Sequence, residues 1–290
     1  MQGETGGISI AVEGRRVLLK WHKLRRRRQD PPFSLANLRA GLAAGASLEI
    51  DIRALADGEW VVLHDEILDR ETDGQGRVAE ADAATIRRLR IAGTDCAPPL
   101  LADMARKLAA THDTGACLQL DLKEGSETLS TTAVEAFAAA IAPVAQRCLL
   151  SGSRWDAVER LGAPVPSLRL GFDPLRLAEG RELAGRESIA AFVEEAAAAA
   201  PAAACFYLHY RLILGALAKG VNPVTRLKES GASVDAWTVD PTMPGICEVL
   251  PALLASGIDQ ITTNDPVAMV GLWDRLVRHG TPACSVAGPR

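Results

Sequence analysis

Within residues 49–66, EIDIRALADGEWVVLHDE, the carboxylates of Glu49 and Asp51 and the imidazole of His64 fall in one short stretch. Glu49 and Asp51 alternate, so on a strand they share a face. Asp57-Gly58 is a two-residue hairpin signal, because both residue types tolerate positive φ. With those two as the loop, Ala56 pairs with Glu59 and Asp51 falls opposite His64. Directly opposed residues share a face, with Cβ atoms ~5 Å apart. Neighbouring inward carboxylates repel unless something cationic sits between them. A hard divalent cation with oxygen ligands is one solution. An arginine or lysine is another.

Two further segments add chemistry. RVLLKWH ends on His22, which places an imidazole at the C-terminal end of a strand. CLQLDLK carries Asp121 and Lys123 at alternate positions, hence on one face. Inward-facing charge in a strand is costly unless it is paired or functional. Each feature alone has a structural reading, as a salt-bridge site or a structural histidine. Together, three strands converging with acid, imidazole and ammonium groups point to a site. Lys20 alternates with His22 and is expected beneath it. There it either pairs with Glu49 or Asp121 and competes with a metal, or forms a structural ion pair.

The elements needed to hold these groups recur along the chain. Strand-like runs are RVLLKWH, SLEIDIR, EWVVLHD, ACLQLDLK, RCLLSGS, SLRLGF, ACFYLHY, SVDAWTV and DQITTND. Helical stretches lie between most of them, including FSLANLRAGLAAG, LLADMARKLAATH, TTAVEAFAAAIA and ESIAAFVEEAAAAA. Strand–helix alternation argues for parallel β with helical crossovers. Eight such units in about 250 residues close a TIM (β/α)8 barrel, with active groups at the C-terminal strand ends. No G-x-G-x-x-G follows the first strand, which disfavours an open dinucleotide-binding sheet. We therefore expect an α/β chain folded as a single catalytic barrel domain over residues 1–290. A tail over about 279–290 has the Gly/Pro content of a frayed end.

Composition bounds the function. Hydrophobic content is 48% and the formal net charge is -4. That excludes a disordered chain and gives no global reason to expect nucleic acid. The cysteines are scattered with no C-x-x-C, so they read as buried reduced thiols rather than a zinc site. No run reaches the ~18 apolar residues of a membrane span, and a cytoplasmic protein is the expectation.

The order of motifs resembles the glycerophosphodiester phosphodiesterase family. That family opens with a strand ending H-R-G, then a P-E-N-T turn, E-L-D-V, V-F-H-D and L-D-R-T-T-x-G-x-G. Here these read WHK, PPFSLANLRAGLAAGAS, EIDI and VVLHDEILDRETDGQGRV. LQLDLK, VDAWTVD and DQITTNDP follow in family order. The similarity runs over roughly residues 16–272 and is most specific over 49–78. It implies a TIM barrel with a small insertion at about 66–100, after the second-strand hairpin. It implies Glu49, Asp51 and Asp121 as ligands of a divalent cation, Mg²⁺ or Ca²⁺. His22 and His64 become the general acid/base pair. Lys23, Lys123 and Trp237 become the phosphate- and substrate-binding groups. The implied reaction is metal-dependent hydrolysis of a glycerophosphodiester or a lysophospholipid-like diester.

Several positions depart from the pattern. The family arginine after the first histidine is Lys23, which keeps charge but loses a bidentate fork. Pro31, Pro32, Phe33 and Ser34 fill the P-E-N-T turn without its acid. Asp121 replaces a glutamate. Asp121 followed by Lys123 also resembles the related sphingomyelinase D-type phospholipases, so a phospholipase D-like enzyme forming a cyclic phosphate is an alternative. A catalytically inactive phosphate-ligand-binding barrel is another. The arginine run Arg25 to Arg28 reads either as a solvated loop or as a cationic site mouth, for a substrate with charge beyond one phosphodiester or for transient contact with an anionic lipid surface. The partner expected is a small-molecule phosphodiester; oligomeric state is not specified by the sequence.

Overall fold

Short apolar-rich runs of two to eight residues build ten strands among residues 6–279, the part of the chain that this computed structural model describes. They are β1 (Ser9–Val12), β2 (Arg15–Trp21), β3 (Ser47–Ala54), β4 (Trp60–Val61), β5 (Cys117–Leu122), β6 (Cys148–Gly152), β7 (Arg169–Phe172), β8 (Cys205–His209), β9 (Ser233–Trp237) and β10 (Gln260–Thr263). Each of the nine expected strand segments contains one. The tenth, β1, pairs antiparallel with β2 across a two-residue turn at Glu13 and Gly14. The tail expected to fray lies, from residue 280, outside the described residues.

Contacts divide the chain into two units. One comprises Lys23–Arg25 and Gln29–Asp173. In it β3, β5, β6 and β7 are parallel neighbours, and β4 adds antiparallel to β3. Helices Leu35–Ala44, Leu101–Ala109, Thr131–Ile141 and Trp155–Gly162 alternate with these strands. Every residue of β3 except Arg53 is buried, the pattern of a parallel strand covered on both faces. The other unit holds β2, β10, β9 and β8 as parallel neighbours, with β1 on the outer side of β2. Its helices include Arg186–Ala199, Tyr210–Ala218, Ile246–Ala255 and Pro266–His279. The alanine-rich helix stops at Ala199, just before Pro201, which lacks the N–H that a further turn requires. Each unit thus supplies four parallel strands joined by helices.

The hairpin after β3 differs from expectation. Arg53 pairs with Val61 and Ala54 with Trp60, one residue short of the register that would set Asp51 opposite His64. The loop has three residues, closed by Leu55 N–H donating to Glu59 O at 2.8 Å. Gly58 takes the left-handed position, with φ of 85°. The Asp57 carboxylate holds this wider loop, accepting from Glu59 N at 3.2 Å and Ala83 N at 2.9 Å. Past Val61 the chain leaves β3, and Val62 N–H donates to Pro99 O. The segment expected as an insertion, 66–100, forms short 3-10 turns, one α-helical turn at Ala83–Ile86 and isolated bridges around a small apolar cluster that includes Leu63, Leu68, Val78, Ile86 and Leu100.

Cys148 and Cys205 are buried free thiols, and Cys117 is half-buried. Cys96 is exposed, and Cys247 is disulfide-bonded, so the expectation of buried reduced thiols throughout does not hold. Among the described residues no helix is long and apolar enough to cross a membrane.

Lys20 lies in the interior of its unit. Its Nζ is 3.1 Å from Asp235 Oδ2, with both side chains at most 1% exposed. Asp235 also accepts from Gln260 at 2.7 Å and Thr262 at 2.8 Å, and the ammonium stands over the Tyr207 ring at 4.2 Å. This is a structural ion pair with a partner on β9. Lys20→Ala strands a buried carboxylate, and we expect it to cost about 3–5 kcal/mol in denaturant unfolding. A loss under about 1 kcal/mol would contradict the assignment of this pair as a structural keystone.

Candidate active site

Parallel register brings the acidic residues of the first-described unit together. Asp51 on β3 stands beside Asp121 on β5, and Ser151 on β6 continues that layer. Glu49 lies one layer below, beside Gln119. One carboxylate oxygen from each of Glu49, Asp51 and Asp121 lies within 4.8 Å of the others. Glu49 and Asp51 are buried, and Asp121 is half-buried. Burial, followed by the charges of Asp51 and Asp121, pushes the Glu49 carboxyl well above the usual carboxylate range. A cluster of hard oxygen donors with excess negative charge suits a hard cation.

Two lysines approach this cluster. Lys123 follows β5, and its Nζ is 2.9 Å from Asp51 Oδ1 and 2.5 Å from Asp121 Oδ2. Burial alone would depress this ammonium, but Asp121 and Asp51 outweigh it and raise its pKa. Lys23 sits 3.7 Å from Asp51 Oδ2 through its Nζ. Its backbone N–H donates to Glu49 Oε2 at 2.6 Å. Ser151 Oγ donates to Asp121 Oδ1 at 3.0 Å and accepts from Gln119 Nε2 at 2.8 Å.

His64 is held by three contacts other than strand pairing. Arg53 Nε donates to its carbonyl at 2.8 Å. The Glu71 carboxylate accepts from its N–H at 2.7 Å. Its Nδ1 lies 2.8 Å from Asp65 Oδ1. The hydrogen bond from His64 is the leading cause that holds Asp65 below its usual range. An ionised carboxylate only accepts, so His64 Nδ1 is the donor to Asp65.

In the other unit, His22 follows β2 and Asn264 follows β10. His22 Nδ1 is 2.8 Å from Asn264 Oδ1. Asn264 Nδ2 donates to both oxygens of Asp240, at 3.2 and 3.0 Å, and Asn264 N–H donates to Asp240 Oδ1 at 2.9 Å. Because Asp240 accepts, the Asn264 amide oxygen must face His22. His22 Nδ1 is therefore the donor to Asn264. Trp237 closes β9, half-buried and edge-on to His209 with ring centroids 4.9 Å apart. Burial and then Arg211 lower the His209 pKa, and its Nδ1 accepts from Arg211 N–H at 3.3 Å. The arginine run is partly tied down: Arg25 Nε donates to Asp30 O, and Arg28 bonds Thr242 and pairs with Asp240.

The model of the glycerophosphoryl diester phosphodiesterase family matches residues 31–268. The chain belongs to that family. A glycerophosphodiester phosphodiesterase of Caldanaerobacter subterraneus subsp. tengcongensis is 25% identical over 257 residues, covering 86% of this chain and 93% of the relative. The Bos taurus glycerophosphodiester phosphodiesterase 1 is 40% identical over 60 residues, 20% of this chain. Among solved structures, a protein of Silicibacter pomeroyi aligns with a TM-score of 0.70 at 20% identity, over 94% of this chain and 96% of its own. A phosphodiesterase of Oleispira antarctica, solved with the product sn-glycerol-3-phosphate, aligns with a TM-score of 0.62 at 21% identity, over 88% of this chain and 96% of its own. The fold shared with these structures is the (β/α)8 barrel, as the strand–helix alternation implied. As a member of this family the chain is a phosphoric diester hydrolase.

Of the residues singled out from sequence, Glu49, Asp51, Asp121, Lys23 and Lys123 meet in one cluster. Asp65, Glu71, Asp240 and Asn264 were not among them. Asp65 and Glu71 lay inside the quoted motif VVLHDEILDRETDGQGRV, but no spacing rule tied them to His64.

Proposed function

We propose that the protein hydrolyses glycerophosphodiesters or lysophospholipid-like diesters to an alcohol and a phosphomonoester. His22 and His64 exchange the protons, and Glu49, Asp51 and Asp121 hold a divalent cation, Mg²⁺ or Ca²⁺. The observation that carries this reading is the cluster itself: three carboxylate oxygens within 4.8 Å, two of them from buried side chains. When bound, a divalent cation there supplies positive charge to phosphate oxygens. Lys123 and Lys23 add fixed positive charge for the same phosphate. One imidazole takes a proton from water through Nε2 as the water oxygen bonds to phosphorus. The other gives a proton to the departing alkoxide as its P–O bond breaks. Trp237 offers an apolar ring to the glycerol or alcohol part. The relative solved with sn-glycerol-3-phosphate supports this substrate class.

Phosphorus NMR of glycerophosphocholine incubated with the protein and Mg²⁺ tests the reading. The expected product is sn-glycerol-3-phosphate appearing with choline. A cyclic phosphate as the end product would replace hydrolysis by internal attack of a substrate hydroxyl. No turnover of glycerophosphocholine or of a lysophospholipid with either cation would overturn the proposal.

A further inference from the structure

Glu71 stands where the family motif L-D-R-T-T-x-G-x-G has its first threonine, and Lys23 stands where the family has arginine. These two departures touch each other. Lys23 Nζ is 3.6 Å from Glu71 Oε1, with the side chains 16% and 17% exposed. The other oxygen of the same carboxylate, Oε2, accepts from His64 N–H at 2.7 Å and from Asp65 N–H at 2.8 Å. Glu71 is itself carried on a braced loop. Thr72 Oγ1 donates to Leu68 O at 2.8 Å and accepts from Gly74 N–H at 3.0 Å, and Asp69 accepts from Gly76 N–H at 2.8 Å.

Lys23 is held as firmly at its main chain. It adopts φ of 53° and Leu24 φ of 59°, both in the left-handed region. Such a conformation is disfavoured for a non-glycine residue. Two hydrogen bonds offset it: Lys23 N–H to Glu49 Oε2 at 2.6 Å, and Phe33 N–H to Lys23 O at 2.8 Å. The ammonium is thereby set between Asp51 and Glu71, 5.7 Å from the Phe33 ring centroid.

We propose that Glu71 is a positioning residue for both His64 and Lys23. One oxygen pins the main chain that carries the imidazole. The other holds the Lys23 ammonium at the carboxylate cluster. This inference rests on the catalytic role proposed above for His64 and the phosphate role proposed for Lys23.

The test uses the full chain with Glu71→Ala, Glu71→Gln, Lys23→Ala and Lys23→Ala/Glu71→Gln. Two readouts are taken: amide hydrogen exchange at His64 and Asp65, and kcat and KM with glycerophosphocholine. In Glu71→Ala both amides should exchange at least about tenfold faster, as a local opening predicts. Its kcat should fall on the order of ten- to a hundredfold, the effect of a displaced catalytic group. Glu71→Gln keeps an oxygen that accepts both N–H groups, so it should retain protection and recover most of kcat. It should change KM, because Lys23 loses its counter-charge, and that change should vanish in the Lys23→Ala background. Unchanged amide exchange in Glu71→Ala overturns the proposal. So does Glu71→Gln as damaged as Glu71→Ala, or a KM effect that persists without Lys23. If Glu71→Ala melts at assay temperature, Glu71→Gln and its double variant decide. Absence of turnover in the unmodified protein defeats the substrate assignment, while amide exchange still decides the role of Glu71.

Discussion

His22→Ala should lower kcat for a glycerophosphodiester by about 10²–10⁴-fold, the range a positioned proton-transfer group contributes. The folded state should be little affected, because His22 lies just past β2 and half-buried rather than in the core. The relay behind it makes the expectation sharper. Asn264 accepts from His22 Nδ1 at 2.8 Å, and Asp240 orients the Asn264 amide through both carboxylate oxygens. Asn264→Ala leaves the imidazole present but frees its tautomer and tilt. It should therefore lower kcat by about 10–100-fold with little change in KM, the signature of misplacement rather than lost binding. His22→Ala and Asn264→Ala/His22→Ala should then be equal, since Asn264 acts through the imidazole. The measurements are steady-state kinetics on each variant, alongside a thermal melt. His22→Ala retaining turnover within about threefold would remove it from the proton path.

Asp51→Asn and Asp121→Asn should weaken divalent-cation binding by at least about a hundredfold, beyond the 10–100-fold typical of groups that merely support a metal ligand. Each substitution keeps side-chain size and removes one negative oxygen donor from the cluster. Asp51 is the more demanding position, at 1% exposure and with Lys123 Nζ 2.9 Å away. Removing its charge leaves the Lys123 ammonium leaning on Asp121 alone among the pairs described for it, so Asp51→Asn should also lower the melting temperature. Asp121→Asn breaks the same lysine contact at a half-buried position, where solvent screens the loss. Calorimetric titration with Mg²⁺ and Ca²⁺ separates the two effects. Wild-type affinity in both variants would mean that the carboxylates serve the lysines and hold no cation.

Much of this architecture was legible because it rests on local periodicity. The alternation of Glu49 with Asp51 put both carboxylates on one face, and the parallel register with β5 then delivered Asp121. The position of His22 at a strand end followed from where the apolar run stops. The hairpin after β3 was misread because turn preference is not turn identity. Asp57-Gly58 carries the strongest two-residue signal, yet Asp57 spends its carboxylate on Glu59 N and Ala83 N and widens the loop to three. Conversely, Glu13-Gly14 lacks the usual Asn or Asp and still makes a two-residue turn, which is why β1 was missed. The relay from Asp240 through Asn264 to His22 joins residues far apart in the chain, and no spacing rule connects them. Of the two readings for Lys20 the structural ion pair is the one seen, but its partner could not be named from sequence. Its inward direction follows from alternation, but Asp235 meets it through the order of strands β2, β10 and β9.

The most direct test of the central claim is turnover of glycerophosphocholine by the intact protein after chelation, then after re-addition of Mg²⁺ or Ca²⁺. The account predicts that chelation abolishes release of choline and sn-glycerol-3-phosphate, and that one of the two cations restores it. Turnover that survives complete chelation would contradict a catalytic cation at Glu49, Asp51 and Asp121, and would leave Lys23 and Lys123 as the positive charge at that cluster.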